Sequence, residues 1–98
     1  MELRAVFTSD EETHAFRVII SPLPTPIEVR GLNELGEFRG IRKLSYEELD
    51  QRMLESRAGY RIRHRHAGTT EVVTNTANAA VVLCQWVSSM IEQAQTSG

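Results

Sequence analysis

The stretch Tyr60-Arg61-Ile62-Arg63-His64-Arg65-His66 alternates almost strictly between two kinds of side chain. A period of two belongs to an extended strand, whose successive side chains point to opposite faces. Arg61, Arg63 and Arg65 then share one face at intervals of roughly 7 Å, and Tyr60, Ile62 and His64 share the other. Burying three guanidinium groups without partners costs far more than a small fold can offset, so the arginines face solvent or an anion. The face with Tyr60 and Ile62 therefore points to the core, which sets which side of the sheet the helices must cover.

Downstream, Ala67-Gly68-Thr69-Thr70 carries turn chemistry and Glu71-Val72-Val73-Thr74 is a second β-prone run, so the pair reads as a hairpin. A type II′ turn at Gly68-Thr69 sets His66 opposite Glu71, Arg65 opposite Val72 and His64 opposite Val73. Residues 74–78 offer several N-caps, and a long amphipathic helix follows. Ala80, Leu83, Cys84, Val87, Ile91 and Ala94 fall within one sector about 100° wide, the core face. Val82, Trp86 and Met90, spaced i, i+4 and i+8, form a flank beside it. That apolar arc exceeds what one sheet face requires, which predicts contact with a second helix or with another protein surface. Residues 93–98 read as a polar, frayed tail.

Upstream, Ser45-Tyr46-Glu47-Glu48 is a capping box that starts a helix with Tyr46, Leu49, Met53 and Leu54 as its apolar stripe, and Gly59 is its expected left-handed stop. Leu3, Ala5 and Phe7 alternate with polar residues, and the pattern resumes at Phe16, Val18 and Ile20, giving a strand pair around the acidic connector at residues 9–13. Ile19 followed by Ile20 predicts a strand covered on both faces. The run Ser21-Pro22-Leu23-Pro24-Thr25-Pro26 ends that strand and reads as an extended, stiff spacer. Ile27-Glu28-Val29-Arg30 and Glu37-Phe38-Arg39-Gly40-Ile41 read as two weaker strands.

The expected architecture is α+β: one domain over residues 1–98, an antiparallel sheet of four to six short strands, and two helices packed on one face. The order is strand, strand, two weaker strands, helix, hairpin, helix. At 98 residues and 41% hydrophobic content, the chain supports one thin core and no large cofactor cavity.

Charge narrows the function classes. Eleven Lys and Arg against thirteen Asp and Glu leave a net charge of -2, unlike a dedicated nucleic-acid protein. The charge is segregated: Arg52, Arg57, Arg61, Arg63 and Arg65 face only Glu55 between residues 52 and 66. Guanidinium groups suit bidentate contact with carboxylate or phosphate. No aromatic residue interleaves with the arginines, so base stacking is not provided for. His64 and His66 share a strand face and need a converging third ligand to hold a metal, so no metal site is assigned. The lone cysteine, Cys84, sits among apolar residues on the core face, where a thiol is inert. Phosphate-binding, dinucleotide-binding, nucleophile-elbow and zinc-protease motifs are absent, so no catalysis, cofactor or small-molecule substrate is expected. No stretch approaches a membrane span, and the reading is of a cytoplasmic protein.

The functional expectation is a small regulatory or binding module that docks onto an acidic protein partner. It would do so through Arg61, Arg63 and Arg65 with Arg57, as a homodimer using Val82, Trp86 and Met90. The alternative places the same arginines on a nucleic-acid backbone.

Overall fold

A computed structural model describes residues 2–41, 45–64 and 68–96. Its elements are β1 (Glu2–Asp10), β2 (Ala15–Pro22), β3 (Asn33–Ile41), α1 (Tyr46–Ser56), β4 (Tyr60–His64), β5 (Thr70–Thr74) and α2 (Ala77–Thr96). The five strands form one antiparallel sheet in the order β3-β1-β2-β5-β4, so the fold is α+β as the residue pattern indicates. Two hairpins, β1 with β2 and β4 with β5, are joined by the pairing of β2 with β5. The outer strands are β3 and β4.

Both helices lie on the same face. Leu3 and Ala5 of β1, Val18 and Ile20 of β2 and Val72 of β5 form one buried cluster with Leu49 and Met53 of α1 and Leu83, Cys84, Val87 and Met90 of α2. α2 packs mainly over β3 and also reaches β1 and β2. α1 is tied to the other end of the sheet: the Tyr60 hydroxyl donates to Asp50 Oδ1 at 2.8 Å, and the Thr70 hydroxyl donates to that of Tyr46 at 3.3 Å. The Arg52 guanidinium lies 5.3 Å from the centre of the Trp86 ring, which joins the two helices by a cation–π contact.

The capping box starts α1 as its spacing requires, with the Ser45 hydroxyl accepting from the Glu48 amide. The stop differs from expectation. Arg57, not Gly59, takes the left-handed cap conformation at φ 57° and donates its amide to the Leu54 carbonyl. Gly59 instead allows close approach, because a Cβ there would lie 2.9 Å from the Asn75 side chain. Of the four residues in the expected α1 stripe, Leu49 and Met53 are buried, whereas Leu54 is 58% exposed and Tyr46 is also exposed. On α2, Thr76 supplies the N-cap, accepting from the Ala79 amide.

The face away from the helices is not bare. Val6, Thr8, Ile19, Ser21 and Glu71 alternate with the helix-side residues and are buried. The connection at residues 23–32 lies against them: Arg4 donates to the Thr25 carbonyl, and Glu28, Arg30 and Leu32 line a recess with Ile19 and Glu71. Ile19 and Ile20 are accordingly both buried. This connection corrects two local expectations. Ile27-Glu28-Val29-Arg30 is not a strand, so the two weaker strands reduce to β3 alone. The proline run is not a straight spacer either, because the Thr25 amide donates to the Pro22 carbonyl in a tight turn with a cis bond at Leu23-Pro24. Prolines without amide donors suit a segment that crosses a sheet without pairing to it.

The β1–β2 connection is fastened by Asp10, whose Oδ1 accepts from the amides of Glu12 at 3.0 Å and Thr13 at 3.3 Å. The Thr13 amide foremost, with the amide of Glu12 and the Arg17 guanidinium, holds the Asp10 carboxyl below its usual value of 3.8. A depressed folded pKa contributes stability that is complete above the unfolded value near 3.9 and is lost as pH falls through the folded one. Denaturant midpoints of wild type and Asp10→Ala should therefore differ most at neutral pH and converge as pH falls through the depressed folded value. In the core, Leu49→Ala should lower stability by about 2–5 kcal/mol, while Leu54→Ala on the exposed side of the same helix should stay within about 0.5 kcal/mol, both read by urea titration.

Candidate functional site

β4 is an edge strand, so one side of its backbone carries unpaired donors and acceptors. Its register with β5 pairs Tyr60 with Thr74, Arg61 with Val73, Ile62 with Val72, Arg63 with Glu71 and His64 with Thr70. Val72 is in the helix-side core, so Ile62 faces the helices, and Arg61 and Arg63 face the other way. The sorting of side chains read from the alternation therefore holds for the described strand. Both arginines are exposed, and among the described residues neither forms a hydrogen bond or an ion pair.

The hairpin register read from a two-residue turn is corrected. β4 ends at His64 and β5 begins at Thr70, leaving five residues between them, and Glu71 faces Arg63 rather than His66. The longer connection moves the pairing by three residues, an odd number, which exchanges the set of β5 residues that shares a face with the arginines. Gly68 does adopt the left-handed φ of 74°, but within this longer connection. Arg65 and His66 lie outside the described residues. Glu71, 2% exposed, sits on the arginine face between Arg63 on β4 and Ile19 on β2.

The neighbourhood of Arg61 contains residues that the alternation alone does not single out. Thr13 and His14 from the β1–β2 turn, Gly59 and Tyr60 at the start of β4, and Val73 and Asn75 beside it surround an open groove of about 370 Å³. Antiparallel pairing of β2 with β5 and of β5 with β4 brings the ends of these strands together. His14 has a positive φ of 52°, so the turn projects its exposed ring at that end of the sheet. Thr13, Asn75 and Arg61 supply donors suited to an anionic group. Arg57, exposed at the cap of α1, leads into the same end of β4.

The second set of expected contact residues is dispersed. Val82 is 52% exposed, Trp86 is half-buried beneath Arg52, and Met90 is 7% exposed within the core cluster. They do not form one exposed strip, because α1 and the sheet cover the flank at Trp86 and Met90 and leave it open at Val82. Among the described residues no group of three or more His, Cys, Asp or Glu is placed to hold a metal ion, and no helix is long and apolar enough to cross a membrane. No known protein family, curated protein or solved structure matches this chain.

Burial pushes the Cys84 thiol up to about 11, which leaves it protonated at neutral pH. In the native protein Cys84 should react with a disulfide reagent at pH 8 far more slowly than in urea, in a ratio that tracks the fraction unfolded. Equal rates in the two conditions would contradict its place in the core.

Proposed function

We propose that this protein is a small non-catalytic binding module whose β4 edge docks an acidic segment of a partner protein. The observation that carries this reading is the pair Arg61 and Arg63, exposed on one face of an edge strand and making no ion pair among the described residues. An extended partner can add its backbone to a free sheet edge while its side chains alternate past the edge residues. Acidic side chains at every second position then meet the two guanidinium groups, with Arg57 at the approach to the strand. The groove beside Arg61 gives a carboxylate further donors in Thr13 and Asn75. A carboxylate partner suits this site better than nucleic acid, because two exposed arginines give few phosphate contacts and a duplex complex of that size is weak and lost in salt.

The test uses the full chain with a fluorescent glutamate-rich peptide, followed by anisotropy at low ionic strength. Wild type should bind, and Arg61→Gln combined with Arg63→Gln should weaken binding by roughly tenfold or more while leaving the unfolding midpoint nearly unchanged. Binding that persists in the double variant removes β4 from the interaction. A mobility shift with duplex or single-stranded DNA but not with the peptide reassigns the arginines to a phosphate backbone.

A further inference from the structure

The two free edges of the sheet differ in chemistry. β3, the edge opposite β4, spans nine residues without a proline, and its run Leu35-Gly36-Glu37-Phe38-Arg39-Gly40-Ile41 is complementary to itself when reversed about Phe38. We propose that β3 pairs antiparallel with β3 of a second copy of this chain, about a two-fold axis at Phe38, joining two sheets into one continuous sheet.

The pairing follows from counting outward from the axis. Phe38 meets its own copy once, on the axis, while Glu37 meets Arg39 of the second copy and Gly36 meets Gly40, each twice by symmetry, and the register shift of β3 against β1 at Leu35 ends the regular match there. Oppositely charged residues directly across a strand pair attract, and like charges there repel. Within one chain, Glu37 and Arg39 already associate at 2.7 Å along the strand, both on the face away from the helices. Turning that contact across the axis keeps Glu37 and Arg39 matched. Leu35 and Ile41, among the most exposed large apolar residues of the protein at 56% and 55%, lie at the two ends of this matched segment, Leu35 at the register shift of β3 against β1. On the helix side, Phe38 packs against the core and is flanked on its own strand by Gly36 and Gly40. The diagonal neighbours across the axis are again these glycines, which leave room for the two rings.

The helices fit the same axis. Strands lie about 4.8 Å apart, so α2, packed mainly over β3 and equally over β1 and β2 beyond it, lies about 5–6 Å from the axis, and the two copies of α2 are about 10–12 Å apart. That is close to the ordinary separation of packed helices. Trp86 turns toward α1, and Val81, about 140° around the helix from it, is 41% exposed on the flank nearer the free edge of β3. In this arrangement the contact lies at β3 with Val81 beside it, rather than at Val82, Trp86 and Met90.

This assignment uses the edge opposite the arginines and stands independently of acidic-partner binding. The experiment is sedimentation equilibrium of the full chain over a wide concentration range, with circular dichroism to show that each variant folds. Wild type should be a reversible dimer. Glu37→Arg alone, or Arg39→Glu alone, turns two attractive cross-strand pairs into two repulsive ones and should weaken the dimer by roughly ten- to a hundredfold. Mixing the two single variants should restore dimerisation, because an all-basic edge then faces an all-acidic one. The doubly exchanged chain, with both substitutions, should dimerise nearly as wild type does. Replacing Arg61 and Arg63 by Gln should leave the dimer unaffected, which separates this result from the peptide-binding test. A wild-type monomer, a dimer indifferent to single charge reversal, or mixed variants that stay monomeric would each overturn the proposal.

Discussion

The antiparallel pairing of β2 with β5, from Phe16 opposite Thr74 to Ile20 opposite Thr70, is the contact on which the rest of the molecule depends. It joins residues 50 to 58 positions apart in the chain and converts two separate sheet fragments into a single platform. Isolated hairpins are marginal in water, and neither fragment alone offers a face broad enough for both helices. Once the pairing forms, Val18 and Val72 lie side by side beneath the helices, where Leu49 and Met53 of α1 and Leu83 and Val87 of α2 complete the core. Placing β2 and β5 inside the sheet also leaves β3 and β4 as its edges, so the same contact decides which residues are available to partners.

Much of this was legible locally and little of it globally. The alternation in β1, β2 and β4, the capping box of α1 and the long amphipathic period of α2 are short-range signals, and each identifies its element. Ile19 and Ile20 announced a strand covered twice, although only the structure shows that the second cover is the connection at residues 23–32. Ile27-Glu28-Val29-Arg30 misled because apolar and charged residues alternate equally well in a crossing connection that rests on a sheet. The stop of α1 misled because a glycine beyond a helix end fits both a cap and a close contact, and here Arg57 takes the cap while Gly59 lies against the side chain of Asn75, 16 residues further on.

The site was legible in composition and not in register. Exposed arginines on one face of β4 follow from period and charge alone. Their neighbours do not, because the length of the β4–β5 connection sets which β5 residue lies opposite, and turn-forming residues at 67–70 are compatible with more than one length. The groove lining of Thr13, His14 and Asn75 depends on three strands ending together and carries no sequence signature of its own. Likewise, Val82, Trp86 and Met90 share a helix flank by geometry, yet burial varies sharply along that flank because α1 covers only part of it.

Free strand edges invite unwanted pairing, and the two edges here answer that hazard differently. A copy of β4 laid antiparallel on β4 about Ile62 would set Arg61 against Arg63 of the copy twice, so like charges oppose self-pairing of this edge. Pairing β4 with β3 of another copy would propagate without closing, as head-to-tail contacts do. Arg39 on β3 facing either β4 arginine opposes that arrangement, while Glu37 can satisfy only one of them. The proposed self-pairing of β3 sets Glu37 against Arg39 and closes after two chains. Under the two proposals, charge order along two short strands is what would direct one edge toward an identical chain and the other toward a different, acidic one.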